Sequence, residues 1–512
     1  MNIYRWIEWW ARRTPDKAAI RFAGEQISYR EFADNIDKTA CVLQKLRVTN
    51  GDRVAYLGYN SPEFLNLLFA CARIGAMLVP LNFRLAPAEH LMMLRDADAA
   101  LLFIDPRFND SAGLIARKFE DCRLVSIAAE LADGASASLP QLMQNASTAV
   151  KGALADPDSP LLIMYTSGTT GKPKGAVLTQ NAIHWNGLNS QVMHDLRRSD
   201  HVLTTLPFFH VGGLNIQTTP ALQVGATVTL IEKFVSGDFL TQVITDKPTL
   251  TVLVPTQMQA IAQHPRWRTT DFSSLRSVTT GSTMVQVPLL EIWHEHDIPV
   301  VQVYGCTETG PIAIHQIAES AHVFTGSIGR RASYCDVRVV DDNGEEVADG
   351  ECGEFYISGP NILKEYWRNP EATRRSLRNG WFHTGDIGYR DQNGEFYVVD
   401  RKKRLIISGG ENIYPSELEQ ILLEHSAITE AVVVGYPHEK WGEVPVAALI
   451  SGGGESPDPA TLKQLFEGRV GHLKHPQHFV VLDAMPRNAM GKIVYSAVRS
   501  EIEKKLSCSN IS

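Results

Sequence analysis

One segment constrains this chain more than any other: the apolar run Leu161-Leu-Ile-Met-Tyr165 opening into Thr166-Ser-Gly-Thr-Thr-Gly-Lys-Pro-Lys-Gly175. A short apolar run of this kind reads as a strand buried in a parallel sheet. The loop that follows is dense in hydroxyls, with three glycines and two lysines. Such a loop suits phosphate: glycines let backbone N–H groups approach, hydroxyls donate, and lysines neutralise charge. It is not the loop that ends in Gly-Lys-Ser/Thr. Gly168 and Gly171 are separated by two residues rather than four, and Lys172 is followed by Pro173. A buried strand that ends in such a loop points to an α/β fold.

The rest of the chain carries the same texture. Arg53–Gly58 is followed by a helical segment near Pro62–Arg73 and by Ala76–Pro80; Leu250–Val254 is followed by a helical segment near Gln257–Gln263 and by Ser277–Thr280. Strand–helix–strand repetition implies parallel sheets covered by helices. Asp336–Val340 and Glu354–Ser358, with turns at Asp341-Asp-Asn-Gly344 and Asp349-Gly350, read as a separate antiparallel β region. After the basic run Arg401-Lys-Lys-Arg404 comes a helix opened by Pro415, with Leu418, Ile421 and Leu422 on one face. The expected organisation is a domain over residues 1–400, a hinge at 401–404 and a compact α+β domain over 405–512.

At 512 residues the chain holds at least two domains. Its net charge of −8 gives no argument for nucleic-acid binding. Cys41, Cys71, Cys122, Cys306, Cys335, Cys352 and Cys508 are odd in number, widely spaced and without a Cys-x-x-Cys pair, which fits reduced cytoplasmic thiols better than a disulfide frame or a zinc site. Ile3, Trp6, Ile7 and Trp10 fall at helical spacing and read as a docked amphipathic helix rather than a signal peptide. The longest apolar stretch, Leu67–Leu81, is interrupted by Arg73 and too short to span a bilayer. The oligomeric state is left open.

Three further segments carry chemistry. Tyr304-Gly-Cys-Thr-Glu-Thr309 follows the apolar run Val300–Val303, where a strand end faces a ligand crevice. Tyr304 offers a ring for a purine, and Glu308 an oxygen for the Mg²⁺ that accompanies a nucleoside triphosphate. Trp381-Phe-His-Thr-Gly-Asp386 places a carboxylate at a glycine turn, suited to ribose hydroxyls, and Arg401 suits ribose or phosphate. Near the C-terminus, Pro486-Arg-Asn-Ala-Met-Gly-Lys-Ile493 contributes Gly491 and Lys492.

The phosphate loop, Pro207-Phe-Phe-His210, Tyr304–Glu308, Thr384-Gly-Asp386, Arg401 and Gly491-Lys492 occur in the order and approximate spacing of the acyl-adenylate-forming superfamily, which the chain resembles over nearly its whole length. That family comprises AMP-forming acyl- and aryl-CoA synthetases, adenylation domains and luciferases. The resemblance implies a large N-terminal domain of two parallel-sheet α/β subdomains and a β-barrel-like subdomain, followed by a small mobile C-terminal domain. It places Thr166, Ser167, Gly168, Thr169, Thr170, Gly171 and Lys174 around the β- and γ-phosphates of ATP. Gly281, Gly305 and Thr307 join the nucleotide site, where Tyr304 stacks on adenine, Glu308 binds Mg²⁺, Asp386 holds ribose and Arg401 contacts the nucleotide. Lys403 is the hinge position, and Lys492, Glu308, Thr166 and His210 are the catalytic set. Arg404 stands where the family often has Asp or Glu.

The implied reaction is ATP-dependent formation of an acyl-AMP, then transfer of the acyl group to coenzyme A. Ser408, Gly409 and Gly410 resemble the pantetheine tunnel, and Trp441 matches an aromatic that packs on pantetheine in some CoA ligases. His210 matches the gate beside the carboxylate, and Val211, Gly212, Gly213, Gly281 and Cys306 are expected to line the acyl pocket. No charged side chain occurs in Val211–Leu214, Thr280–Met284 or at Cys306. An amino-acid or small dicarboxylate substrate would need one, so an apolar acid fits best. The Gly212-Gly213 pair suggests a roomy channel and a medium- or long-chain fatty acid. The alternatives are an aryl or hydroxycinnamate acid, or loading of a carrier-protein thiol; a luciferase-like oxygenase uses the same adenylate.

Overall fold

The computed structural model describes residues 1–166, 173–282, 285, 287–409, 411–452, 457–487 and 492–509, with side chains up to residue 506. Ser167, Gly168, Thr169, Thr170, Gly171, Gly410 and Gly491, all singled out from the sequence, lie outside the described residues.

The first large sheet has seven strands. Arg53–Leu57, Met77–Pro80, Leu101–Ile104 and Arg123–Ser126 run parallel, and Pro160–Thr166 lies parallel to Met77–Pro80. The crossover helix Pro62–Ile74 shows why these units form. Ser61 Oγ accepts from the Phe64 N–H, Pro62 opens the first turn, and Gly75 ends it at φ +83°. Pro160–Thr166 is thus a buried parallel strand on this edge, as expected, and differs on its other edge. That strand pairs antiparallel with Lys174–Thr179, with Thr166 opposite Lys174. The glycine-rich segment therefore connects two antiparallel neighbours.

The second sheet has nine strands, six of them parallel: Ala18–Phe22, Thr227–Leu230, His201–Thr204, Leu250–Leu253, Ser277–Gly281 and Val300–Tyr304. Helices cover both faces. Along Ser277–Gly281 the side chains alternate: Val278 packs with Phe239 and Trp293, and Thr279 meets His194 at the end of helix Gln180–His194. The N-terminal helix Tyr4–Arg13 buries Trp6 and Ile7 and ties down Trp10, whose indole N–H donates to the Gln223 carbonyl at 2.9 Å.

A five-stranded half-barrel sheet follows (Asp336–Val340, Gly353–Ser358, Leu377–Arg378, Trp381–Arg390, Phe396–Arg401). The last sheet comprises Ile406–Ser408, Glu411–Ile413, Ile428–His438, Gly442–Ser451 and His478–Val481. Helix Pro415–Leu423 buries the expected face, Leu418, Ile421 and Leu422, in that sheet's core. The chain divides into two compact units: residues 1–338, 356–383 and 393–396, and residues 339–355, 384–392 and 397–512. The basic run becomes a 3₁₀ turn, Lys402–Arg404, within the second unit. Among the described residues no helix is long and apolar enough to cross a membrane.

Candidate active site

In the first unit, His210 caps the short helix Val211–Asn215 and is half-buried. Its loop is fixed from a distant element. The buried Asn60 amide donates to the Leu206 and Ile231 carbonyls at 2.9 and 3.2 Å, and its Oδ1 accepts from the Phe208 N–H at 2.9 Å. The His210 ring lies 4.4 Å from that of Phe209, which is 4.9 Å from Phe83. The Arg84 guanidinium sits 5.8 Å from the Phe209 ring centroid. A cation near this gate comes from a segment that sequence reasoning did not connect to it.

The two glycines after the gate differ. A Cβ on Gly212 would sit 3.6 Å from Ile216 Cδ1 and 3.9 Å from Leu206 Cδ1, which is ordinary contact. A Cβ on Gly213 would sit 2.4 Å from the Pro207 carbonyl oxygen and 2.6 Å from that of Leu206. This helix is crowded at Gly213: the backbone of the gate loop fills the space a side chain would take. The roomy channel inferred from the glycine pair is corrected accordingly: Gly213 marks a close backbone approach, and at Gly212 a side chain would already touch Ile216 and Leu206. Gly281 and Gly305 are also close-approach positions, their would-be Cβ atoms lying 2.4 Å from the Val303 oxygen and 1.7 Å from the Pro311 oxygen.

Tyr304 ends its strand half-buried, and the chain turns through a 3₁₀ helix, Thr307–Thr309, capped by Cys306. The Cys306 N–H donates to Thr309 Oγ1 at 2.9 Å, holding the turn that carries Glu308. Glu308 is 9% exposed. Its Oε1 accepts a hydrogen bond from the Tyr366 hydroxyl at 2.7 Å. Tyr366 arrives on the two-residue strand Glu365–Tyr366, which pairs with Val177 and Ala176. The same pairing sets Lys174 Nζ 5.4 Å from the Tyr366 ring centroid. Burial, then the charge of Glu308, raises the Tyr366 pKa, so its proton stays on the phenol that donates to Glu308. Lys174, Tyr366 and Glu308 thus form one cluster. Tyr366 was missed from the sequence, where nothing marks it apart from other tyrosines.

Among the described residues there is no cluster of three or more His, Cys, Asp or Glu side chains able to hold a metal ion. A single buried carboxylate such as Glu308 fits Mg²⁺ that arrives already bound to triphosphate oxygens, because Mg²⁺ commonly takes one or two protein carboxylates and completes its shell with phosphates and water.

In the second unit, Asp386 sits within the ten-residue strand Trp381–Arg390, not at a chain-reversing turn as expected. Gly385 bends that strand locally at φ +70°, and its N–H donates to Glu354 Oε1 at 3.0 Å. Thr384 Oγ1 donates to the Phe355 carbonyl at 2.8 Å and accepts from the Asp386 N–H at 3.0 Å. The mostly buried Asp386 carboxylate pairs with the Arg401 guanidinium at 2.8 Å. Lys403 is exposed on its 3₁₀ turn. Beside it, Arg404 bridges Asp400, at 3.2 Å, and Glu419, and lies 4.5 Å from the Tyr495 ring centroid. Its positive charge is thus matched by two carboxylates from its own unit.

Gly409 takes φ +59°, and a Cβ there would meet Trp441 Cε3 at 2.8 Å. The half-buried Trp441 ring therefore lies against Gly409, and the Gly409 N–H donates to the Trp441 carbonyl at 2.9 Å. Ser408 is fully buried next to them. Lys492 is exposed, one residue before Ile493, which bridges back to Arg487.

The AMP-binding enzyme family matches residues 7–367, and the AMP-binding enzyme C-terminal domain matches residues 417–492. The chain is 45% identical over 506 residues to an indoleacetate–CoA ligase of Aromatoleum aromaticum, covering 99% of both chains. It is 39% identical over 491 residues to a feruloyl-CoA synthase of Amycolatopsis sp., covering 96% of both. The o-succinylbenzoate CoA synthetase of Bacillus subtilis, solved with its acyl-adenylate intermediate, superimposes with a TM-score of 0.84 at 31% identity, covering 95% of this chain and 96% of the other. The protein belongs to the AMP-binding enzyme family, within the acyl-adenylate-forming superfamily. It is an AMP-forming acid–thiol ligase that uses ATP, Mg²⁺ and CoA.

Proposed function

We propose that this ligase activates an aryl or arylacetic acid and transfers it to CoA in the cytoplasm, where ATP and CoA are supplied. The observation that carries this reading is the crowding at Gly213, where a side chain would meet the Pro207 and Leu206 backbone. It removes the argument for a long acyl channel drawn from the glycine pair, and the Ile216 and Leu206 side chains that close around Gly212 suit a compact acid. The indoleacetate and feruloyl specificities in the names of the two relatives point the same way.

In this reading the acid's carboxylate oxygen attacks the α-phosphorus of ATP and pyrophosphate leaves. Both reactants are anions, so the residues must neutralise charge and hold an in-line geometry. Thr166, Ser167, Gly168, Thr169, Thr170, Gly171 and Lys174 hold the β- and γ-phosphates. Tyr304 stacks on adenine between the close-approach positions Gly281 and Gly305, with Thr307 beside it. Glu308, its carboxylate fixed by Tyr366, addresses the Mg²⁺ that comes with ATP. Asp386 accepts from the ribose hydroxyls and Arg401 orients it. Lys492 stabilises charge on the α-phosphate; one such donor is worth roughly 10²–10³ in rate. His210 gates the carboxylate, and Val211, Gly212 and Cys306 line the acyl side.

A domain boundary near 400 with a pivot at Lys403 then withdraws Lys492 and presents Ser408, Gly409, Gly410 and Trp441 to CoA. The CoA thiolate attacks the acyl carbonyl and AMP leaves. A panel of straight-chain, benzoic, arylacetic and cinnamic acids, scored for AMP release with ATP and CoA, tests the assignment. Aryl acids should give the highest kcat/KM; a maximum at C10–C16 straight-chain acids would refute it.

A further inference from the structure

We propose that Gln217 reads the substrate ring: its Oε1 accepts a hydrogen bond from a ring N–H or O–H, so the preferred acids are aryl acids carrying such a donor. This rests on the aryl-acid reading above.

Gln217 is 1% exposed, and its Oε1 has no hydrogen-bond partner among the described residues. A buried acceptor without a partner is rare and costly in a folded protein. The surrounding network shows that this atom is the carbonyl oxygen and not the amide nitrogen. His194 Nδ1 lies 2.9 Å from the Ser190 carbonyl oxygen, a contact that requires an N–H. Burial holds the His194 pKa down to about 3, so the ring is neutral and Nε2 carries a lone pair. Thr279 Oγ1, 2.8 Å away, must donate its proton to that lone pair. The Gln217 group 3.1 Å from Thr279 Oγ1 must then be the N–H donor. Proton order along Ser190, His194, Thr279 and Gln217 leaves Oε1 as an acceptor.

Its position fits a ring contact. Gln217 follows the gate helix Val211–Asn215 by two residues and stands at the N-cap of the next helix, Thr218–Val224, so it is carried by the same segment as the His210 gate. Thr279 shares a strand face with Gly281, two residues on, at the expected acyl wall. The intervening residues Val211–Ile216 carry no charge that would compete for the ring donor.

The test compares kcat/KM for matched acids: indole-3-acetate against 1-methylindole-3-acetate and benzofuran-3-acetate, and 4-hydroxycinnamate against cinnamate. The first set reads a ring N–H and the second an O–H. Each is measured with the wild type, Gln217→Met and Thr279→Val. The wild type should favour the donor-bearing acid on the order of 10²-fold in at least one set. Gln217→Met should reduce that preference to within about threefold, because no acceptor remains to be left unpaired. Thr279→Val should weaken it by freeing the amide to turn. Ratios within one preparation do not depend on the folded fraction, so a loss of total activity does not imitate the result. If the wild type treats both members of each set alike, or if Gln217→Met keeps the wild-type ratio, the inference is wrong while the aryl-acid reading stands. If no aryl acid is turned over, both fall.

Discussion

Alanine at Gly213 and alanine at Gly212 should have opposite consequences, although the residues are adjacent in one short helix. At Gly213 the new Cβ would lie 2.4 and 2.6 Å from two carbonyl oxygens of the gate loop. The optimum for non-bonded carbon contacts is ~3.5–4.0 Å. Both obstructing atoms are backbone, so relief requires moving the Leu206–Pro207 segment. Overpacking of this kind costs about 1–3 kcal/mol. The gain from replacing a helical glycine, roughly 0.5–1 kcal/mol, offsets only part of it. At Gly212 the nearest atoms are flexible side-chain termini at 3.6 and 3.9 Å, so the helix gain is kept. The two variants should therefore differ by about 2 kcal/mol in stability. Denaturant midpoints measured alongside kcat/KM test this. His210 donates its N–H to the Pro207 carbonyl at 3.1 Å, so shifting the loop shifts the gate. Gly213→Ala should depress turnover of every acid by a common factor. Gly212→Ala should discriminate, with bulky aryl acids losing about tenfold or more relative to small ones. Equal stability of the two variants, or a uniform loss in Gly212→Ala, would refute the packing argument.

Other changes separate the remaining roles. Lys492→Ala should abolish adenylate formation while sparing thioester formation from supplied acyl-AMP, and Lys403→Pro should do the reverse because proline fixes φ at the pivot; half-reaction assays check both. Tyr366→Phe should lower the first half-reaction about tenfold, since a hydrogen bond to a charged group is worth roughly 1.5–3 kcal/mol, and should shift its Mg²⁺ dependence; an unchanged Mg²⁺ titration would mean that Tyr366 only fills space. Arg404→Met should destabilise the second unit by about 3–5 kcal/mol, because it strands the Asp400 and Glu419 carboxylates in a mostly buried setting; a denaturant midpoint equal to wild type would show that the bridge contributes nothing.

Local patterns were legible where a single element determined them. The period of the Pro62 helix, its Ser61 cap and its Gly75 stop are all in the sequence, as are the buried face Leu418, Ile421 and Leu422 and the docking stripe of the N-terminal helix. What the sequence hid depends on pairing between distant segments. Tyr366 reaches Glu308 only because a two-residue strand lies on Ala176 and Val177. Arg404 finds Glu419 and Tyr495 only after the second unit has folded. Gly213 was misread because a glycine records equally well a need for space and a close backbone approach, and only the position of the Pro207 carbonyl distinguishes them. Gly385 was misread in the same way: a positive φ serves a bend inside a long strand as readily as a turn.

The most direct test of the central claim is a competition. The purified protein is given ATP, Mg²⁺ and limiting CoA with an equimolar mixture of indole-3-acetate, 4-hydroxycinnamate, benzoate, decanoate and palmitate, and each thioester is quantified together with AMP. The account predicts that the aryl thioesters together exceed the fatty acyl thioesters at least tenfold, with one AMP formed per thioester. A product mixture dominated by decanoyl- or palmitoyl-CoA would contradict it.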